Sequence, residues 1–242
     1  MHREANAGHL GGNFSCVDAI ITVHHRVMKK TDRFILSKGH SAGSLYVALW
    51  SIGELTDDDL KTFCKDGTRF PGHPSGSGIP GLQFPTGSLG HGPSLAAGLA
   101  LAAKHQKSGR HVYCLCSDGE WQEGGCWEAL TFANHYGLDN LTILIDQNGF
   151  QGFGGTQEVI SCADLTPRLM GFCSNVQRVN GHDWRSILKA LQRRVKDQPN
   201  VLVLDTIKGH GLHFEGTLES HYLPLSEEQY KLALKNVQGD MS

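Results

Sequence analysis

The most constraining feature of this 242-residue sequence is a strand, helix and strand pattern that runs from Val112 to Asn148. Two short apolar runs, residues 112–116 and 141–145, enclose a helical pattern over residues 121–136. A crossover of this kind is right-handed and sets its two strands parallel. Asp118 and Asn148, which follow the two strands, are therefore expected to emerge at the same edge of a sheet.

The same alternation of strand and helix continues along the chain. Short apolar runs predict buried strands, and amphipathic patterns predict helices between them. The further predicted strands are residues 33–36, 176–179 and 201–207, and the further predicted helices are residues 41–52, 95–107 and 184–195. This order predicts an α/β fold in which helices cover both faces of a parallel sheet. Residues 1–242 are expected to form a single domain.

Charge and cysteine content exclude several functional classes. The 22 Lys and Arg residues balance 24 Asp and Glu residues, so we expect no nucleic-acid or membrane partner. No apolar run approaches the roughly 20 residues that cross a bilayer, and MHREANAGHL is not a signal segment. The seven cysteines include no CxxC pair, which favours the reducing cytoplasm over a disulfide framework or a thiolate zinc site.

Asp118 and Asn148 together predict a site for a metal ion and phosphate. A carboxylate, an amide oxygen and a nearby backbone carbonyl are hard ligands that suit Mg²⁺ or Ca²⁺. Gly119 allows a sharp turn, and the first amides of the following helix offer positive partial charge to phosphate oxygens. Singly, an Asp often caps a helix and an Asn often occupies a turn. Their joint position after two strands favours the functional interpretation.

This pair resembles the thiamine-diphosphate signature, Gly-Asp-Gly followed at a distance by Asn. The chain reads Ser117-Asp118-Gly119 and ends the interval at Asn148, so it departs only at Ser117. The segments ANAGHLGG, DRFILSKGHSAGSLY, PGHPSGSGIPGLQFPTGSLGHG and TIKGHGLHFEGTLESHYLPLSEEQY resemble the N-terminal domain of transketolases. The resemblance implies a thiamine-diphosphate-binding fold of the diphosphate-binding type. It also implies that Asp118, Asn148 and the Phe150 carbonyl hold the metal, while Gly119 approaches the diphosphate.

The resemblance assigns roles to several histidines. By this similarity, His9 and His73 bind the sugar, and His40 contacts both cofactor and substrate. Lys208 and His221 match residues near the diphosphate and the substrate. An imidazole can hydrogen-bond a sugar hydroxyl and exchange a proton near neutral pH, so we expect the four histidines to be catalytic.

Residues 67–92 form a long stretch with eight glycines and four prolines. A loop of this length is usually functional or disordered, and we expect an active-site element. Three of its residues match the segment whose backbone contacts the aminopyrimidine: Gly87, Ser88 and Leu89. Glu123 matches an acid linked to carboxylates of the partner domain and is expected to contribute to cofactor binding. Lys38 is a weaker candidate.

Two positions depart from the transketolase pattern. His91 stands where transketolases usually have glutamine, and a Gly-His pair there resembles the deoxyxylulose-phosphate synthases. Tyr222 follows His221 where the family usually has glycine, which affects the local backbone. Two alternatives therefore stay open: another thiamine-diphosphate carboligase of the synthase type, and a non-catalytic regulatory subunit. The retained metal ligands argue against the second.

The resemblance also predicts that a second chain is needed. Transketolases continue into a pyrimidine-binding domain, whose glutamate activates the aminopyrimidine, and into a C-terminal domain; this sequence contains neither. We expect transfer of a two-carbon ketol unit between sugar phosphates by an α2β2 heterotetramer of this chain and a C-terminal subunit. The start is also abrupt, since only MHREAN precedes the AGHLGG match where relatives have a helix.

Overall fold

The computed structural model describes residues 1–76, 78–79, 81–161 and 164–239, without the side chains of residues 237–239. Ser77 and Pro80 of the predicted active-site loop, and Cys162 among the cysteines, lie outside the described residues. The strands are β1 (Arg33–Leu36), β2 (Val112–Ser117), β3 (Leu141–Gln147), β4 (Phe150–Gln151), β5 (Gly154–Gly155), β6 (Val176–Asn180) and β7 (Asn200–Asp205). The α-helices are α1 (Leu10–Thr22), α2 (Ala42–Ser51), α3 (Asp57–Lys61), α4 (Gly92–His105), α5 (Gly124–His135), α6 (Thr156–Val159), α7 (Leu165–Met170), α8 (Trp184–Gln192), α9 (Glu219–Tyr222) and α10 (Glu227–Gly239).

Five strands form one parallel sheet in the order β1, β2, β3, β7, β6. Ser117 at the end of β2 pairs with Asp146 of β3, and Gln147 pairs with Asp205 of β7. Strands β4 and β5 form a separate antiparallel hairpin directly after β3. The turn after β2 and the hairpin after β3 therefore lie side by side at the carboxyl edge of the sheet, as the crossover rule predicts.

Alternate side chains of the central strands pack on opposite faces of the sheet. Tyr113 and Leu115 join a core built with α1, α2 and α8. Cys114 and Cys116 join a second core built with α4, α5 and α7. The prediction of a parallel sheet with helices on both faces is confirmed. Among the described residues, no helix has the length and apolar character needed to cross a membrane.

Several predicted element bounds were wrong. The predicted helix 95–107 is α4, Gly92–His105, and the predicted helix 184–195 ends at Gln192. The predicted strand 201–207 ends at Asp205. The predicted helix 121–136 is divided, because Glu123 has extended backbone with φ −80° and ψ 129°. A short 3-10 helix, Gly119–Gln122, precedes this residue, and α5 begins after it. Consecutive glycines at 124 and 125 weaken any continuous helix across this point.

Helix α1 was not predicted from the sequence. Its first turn contains Gly11 and Gly12, which weaken a helical signal. Close packing explains both glycines: a Cβ on Gly11 would lie 2.3 Å from Oγ of Ser220, and one on Gly12 would lie 3.2 Å from Oγ of Ser41. The start of α1 thus lies tightly between α9 and the 3-10 turn Gly39–Ser41.

Candidate active site

Asp118 and Asn148 lie at the ends of neighbouring strands. Asp118 follows β2 and is buried; its Oδ2 accepts a hydrogen bond from the backbone N of Gly149 at 2.7 Å. The Asn148 side chain donates to Asp146 at 3.0 Å, and its Oδ1 accepts from the backbone N of Phe150 at 3.1 Å. These bonds bring a carboxylate, an amide oxygen and the loop that carries the Phe150 carbonyl to one edge of the sheet.

The electrostatics of Asp118 suit a cation. Burial, followed by the nearby charge of Asp146, raises the pKa of Asp118 to about 6. A cation beside this carboxylate would offset both effects. Asp118, Asn148 and Thr156 line a cavity of about 760 Å³. Across the described part of the chain, no three His, Cys, Asp or Glu side chains group as metal ligands. The carboxylate, amide and carbonyl oxygens here fit a hard ion such as Mg²⁺ or Ca²⁺, held together with ligand oxygens.

Gly119 has a structural explanation of its own. A Cβ at this position would lie 2.5 Å from Oε1 of Gln151, so the β4–β5 hairpin packs directly over it. Its backbone N donates to Oδ1 of Asp118 at 2.8 Å. The amides that follow Asp118 belong to a four-residue 3-10 turn and not to the start of α5, which corrects the predicted helix N-terminus. The approach of Gly119 to a diphosphate stays a prediction.

The four predicted histidines converge. The ring of His9 lies 5.0 Å from His221, 5.6 Å from His40 and 5.7 Å from His73, measured between centroids. His9 has φ 62°, a left-handed conformation that is costly outside glycine and is often found at functional sites. Its buried Nδ1 has no hydrogen-bond partner among the described residues. Because an unpaired buried nitrogen costs free energy, a ligand hydroxyl here would be stabilising.

The histidine cluster, defined as His9, His40, His73 and His221, is neutral near pH 7. Burial is the main cause in each case and lowers the pKa of His9 to about 4 and that of His221 to about 3. It also lowers the pKa of His40 and, less strongly, that of His73. A neutral imidazole offers one donor and one acceptor nitrogen. The cluster therefore suits hydroxyl groups.

Lys208 contacts both the histidine cluster and the metal candidate, which is defined as Asp118, Asn148 and the Phe150 carbonyl. Its Nζ lies 2.5 Å from Nδ1 of His221 and donates to the Phe150 carbonyl at 3.3 Å. Burial, and then repulsion by Lys38, lower the pKa of Lys208 to about 8. The side chain thus carries a positive charge at neutral pH. The two groups of residues form parts of one site.

The predicted loop passes beside the histidine cluster, and its described residues between Lys61 and Gly92 contain no helix or strand. A Cβ on Gly87, where φ is 137°, would lie 3.0 Å from Cδ2 of His73. Ser88 and Leu89 are exposed, and Nδ1 of His91 lies 3.2 Å from both of their carbonyl oxygens. Their contact with an aminopyrimidine stays a prediction, while His91 has a defined position against this backbone.

Comparison with known proteins decides the family. Residues 2–239 match the protein family described as "Transketolase, thiamine diphosphate binding domain". The chain belongs to the transketolase family. The predicted family, cofactor-binding fold and function as a thiamine-diphosphate-dependent transketolase subunit of the N-terminal type are confirmed.

Relatives of two kinds support this conclusion. The chain is 35% identical to an apulose-4-phosphate transketolase subunit of Phocaeicola vulgatus, covering 97% of this chain and 87% of that protein. It is 36% identical to "6-deoxy-6-sulfo-D-fructose transketolase subunit SqwG" of Clostridium sp. (strain MSTE9), covering 96% and 89%. The solved transketolase from Leishmania mexicana is similar with a TM-score of 0.89 and 30% identity, over 97% of this chain. The chain spans 38% of that longer transketolase.

Lys38, the weaker candidate, lies inside this transketolase domain. It is fully buried, forms an ion pair with Asp146 and donates to the Gly12 carbonyl at 3.1 Å. Asp146 also accepts from Oγ of Ser15 at 2.6 Å and from Asn148. Lys38 is therefore connected to Asn148 through Asp146, and a role for it in the site stays a prediction.

Glu120 was missed by sequence reasoning. Its buried carboxylate accepts hydrogen bonds from the backbone N of Gly90 at 2.9 Å, the backbone N of Ser117 at 3.2 Å and the Ser37 hydroxyl. These bonds fix the end of the loop to the ends of β1 and β2. The only sequence signal is its place directly after Asp118 and Gly119, where an acid is equally typical of an exposed helix start.

Glu123 lies apart from these buried groups in the transketolase domain. It precedes α5 and is exposed. A Cβ on Gly90, where φ is 86°, would lie 2.8 Å from Cβ of Glu123, so the loop packs against this residue. Its predicted link to a partner domain stays a prediction.

Proposed function

We propose that this transketolase subunit transfers a two-carbon ketol unit between sugar phosphates, with thiamine diphosphate and Mg²⁺ or Ca²⁺ as cofactors. The observation that carries the proposal is the bridge that Lys208 makes between the Phe150 carbonyl and His221. It joins hard oxygen donors, which suit a metal diphosphate, to neutral imidazoles, which suit a polyhydroxylated substrate.

Each residue at the metal end of the site has its own role in binding the cofactor. When bound, thiamine diphosphate supplies an electron sink through its thiazolium ring. Asp118, Asn148 and the Phe150 carbonyl hold the divalent ion, and Gly119 lies against the diphosphate. The Lys208 ammonium supplies a further positive charge for phosphate oxygens.

The sugar end depends on the histidine cluster. His9 and His73 bind sugar hydroxyls, while His40 and His221 contact both cofactor and substrate. A neutral imidazole can donate a hydrogen bond from one nitrogen and accept one at the other. In His221, Nδ1 already accepts from Lys208, which leaves Nε2 as a donor to the substrate. Three loop residues contact the aminopyrimidine through their backbone: Gly87, Ser88 and Leu89.

The active assembly includes a second chain. Both of the relatives named as subunits are described as one part of a transketolase, which supports a partner. We assign to that partner the pyrimidine-binding domain, an α2β2 heterotetramer with this chain, and the contact with exposed Glu123. The five-stranded parallel sheet, packed by α1, α2 and α8, supports one domain over residues 1–242. The six described cysteines are free, which supports a cytoplasmic location.

Reconstitution tests the proposed function. This chain, its partner and the mixture are each supplied with thiamine diphosphate, Mg²⁺, a ketose phosphate donor and an aldose phosphate acceptor, and the products are followed by mass spectrometry. We expect ketol transfer by the mixture alone. Transfer by this chain alone would contradict the need for a partner. A product that forms only from pyruvate would favour a synthase-type carboligase instead.

A further inference from the structure

Tyr222 crosses from the end of α9 to the β4–β5 hairpin. Its hydroxyl group donates a hydrogen bond to the Gly152 carbonyl at 2.7 Å. The turn of the hairpin lies close against this residue and its neighbour, since a Cβ on Gly152 would lie 2.7 Å from the Tyr222 hydroxyl oxygen and 3.8 Å from Nε2 of His221. The tyrosine therefore links two segments that both reach the histidine cluster.

The ring of Tyr222 lies along one side of the histidine cluster. Its centroid is 4.5 Å from that of His221 and 6.2 Å from that of His9. The backbone is held as well, because a Cβ on Gly8 would lie 2.2 Å from the Tyr222 carbonyl oxygen and His9 N donates to the His221 carbonyl at 2.8 Å. About half of the side chain, 53%, stays exposed and available to a ligand.

We propose that Tyr222 is a specificity-determining residue, whose ring forms a side wall of the sugar site and whose hydroxyl fixes that wall to the hairpin. This inference rests on the proposed function. A tyrosine ring combines an apolar face with a polar tip, and here the tip is occupied by the Gly152 carbonyl. The face remains for the C–H groups of a sugar whose hydroxyls are bound by the histidines.

The Tyr222 ring, held by the hydrogen bond to the Gly152 carbonyl, discriminates between sugar substrates by their shape. An unbranched sugar chain can lie flat against the ring, whereas a carbon branch near the groups held by His9 and His221 would collide with it. The substrate class assigned to this chain is therefore an unbranched sugar phosphate.

Hydrogen exchange on the isolated chain tests the tether. In Tyr222→Phe, the amides of residues 150–155 should exchange about fivefold faster, because one hydrogen bond that holds the hairpin is lost. Tyr136→Phe is the matched control, since it removes the hydroxyl of a tyrosine of similar exposure at the end of α5. If the amides of the hairpin exchange at the wild-type rate in Tyr222→Phe, the Tyr222 hydroxyl does not hold the hairpin in place.

Kinetics of the reconstituted complex test whether the Tyr222 ring forms a side wall of the sugar site. The ratio of kcat/KM for a branched acceptor to that for an unbranched aldose phosphate is measured for wild type, Tyr222→Ala and Tyr222→Phe. We expect Ala, which removes the ring, to raise this ratio at least about tenfold, a change typical of reshaping an apolar pocket. We expect Phe, which keeps the ring and loses only the bond to the Gly152 carbonyl, to raise it by less than Ala does.

The possible outcomes distinguish an error in the role of Tyr222 from an error in the proposed function. An active Tyr222→Ala complex with the wild-type ratio would overturn the assignment of Tyr222, as would an equal rise in the Phe and Ala variants. A wild-type complex without ketol transfer would overturn the proposed function. If Tyr222→Ala does not assemble, Tyr222→Ser, which also removes the ring and keeps a small polar side chain at this half-exposed position, takes its place with the same expected rise.

Discussion

The ammonium group of Lys208 lies 2.5 Å from Nδ1 of His221. Both side chains are buried, and the Lys208 charge is the second cause, after burial, that lowers the pKa of His221 to about 3. His221 is thereby kept neutral at the point where the metal candidate meets the histidine cluster. This relationship makes the protonation state of the sugar site depend on a residue that also contacts the Phe150 carbonyl.

Replacing Lys208 by Met should raise the pKa of His221. The substitution removes a positive charge next to the imidazole and keeps a side chain of similar length, so protonation becomes less unfavourable. NMR titration of the histidine ring protons in the isolated chain measures the change. Lys104→Met, on the exposed side of α4, is the control. A His221 pKa equal in variant and wild type would show that burial alone keeps the ring neutral.

Replacing Lys38 by Met should strongly destabilise the fold. Asp146 would remain fully buried with its charge uncompensated, which typically costs about 3–5 kcal/mol. Urea unfolding of the isolated chain measures this loss. Adding Asp146→Asn, which removes the second charge, should recover part of it. If the double variant is no more stable than Lys38→Met, the buried charge is not the cause.

His9 should make stability depend on pH. Its pKa is lowered from 6.5 to about 4 on folding, so between these values the unfolded chain binds more protons at this site than the folded chain. Stability therefore falls as pH falls from 6.5 towards 4. Asp118, with its pKa raised from 3.8 to about 6, contributes in the opposite direction over part of this range.

The difference between wild type and His9→Gln isolates the histidine contribution. Urea unfolding at pH 7.5, 6.5, 5.5 and 4.5, chosen as about one-unit steps across the ordinary histidine pKa, gives the free energy of unfolding for each. The variant should lose less stability than wild type as the pH falls. Parallel profiles for the two proteins would contradict the lowered pKa.

Sequence reasoning located the sheet and the site because both depend on order along the chain. Buried parallel strands appear as apolar runs, and the crossover rule alone places Asp118 beside Asn148. The convergence of the histidines came only from resemblance, since His9, His40, His73 and His221 lie on four separate segments. No local sequence pattern indicates that such segments come together in the folded chain.

The missed features share a physical cause. Helix α1 begins with glycines that packing requires and that helix propensity disfavours. Glu120 and Asp146 are buried carboxylates, and composition alone would place an acid at the surface. The tether from Tyr222 to Gly152 joins positions 70 residues apart. In each case a tertiary contact explains the residue, and the contact is not encoded locally.

Calorimetry of the reconstituted complex with Asp118→Asn tests the central claim, that Asp118 holds the metal ion of thiamine diphosphate. Asn keeps an acceptor for the Gly149 amide and removes the charge. Asp164→Asn is the control, because Asp164 lines the same cavity but is exposed and paired with Arg178. We expect Asp118→Asn to weaken Mg²⁺-dependent cofactor binding at least about 100-fold, with the control near wild type. Equal affinity in Asp118→Asn and wild type would contradict the account.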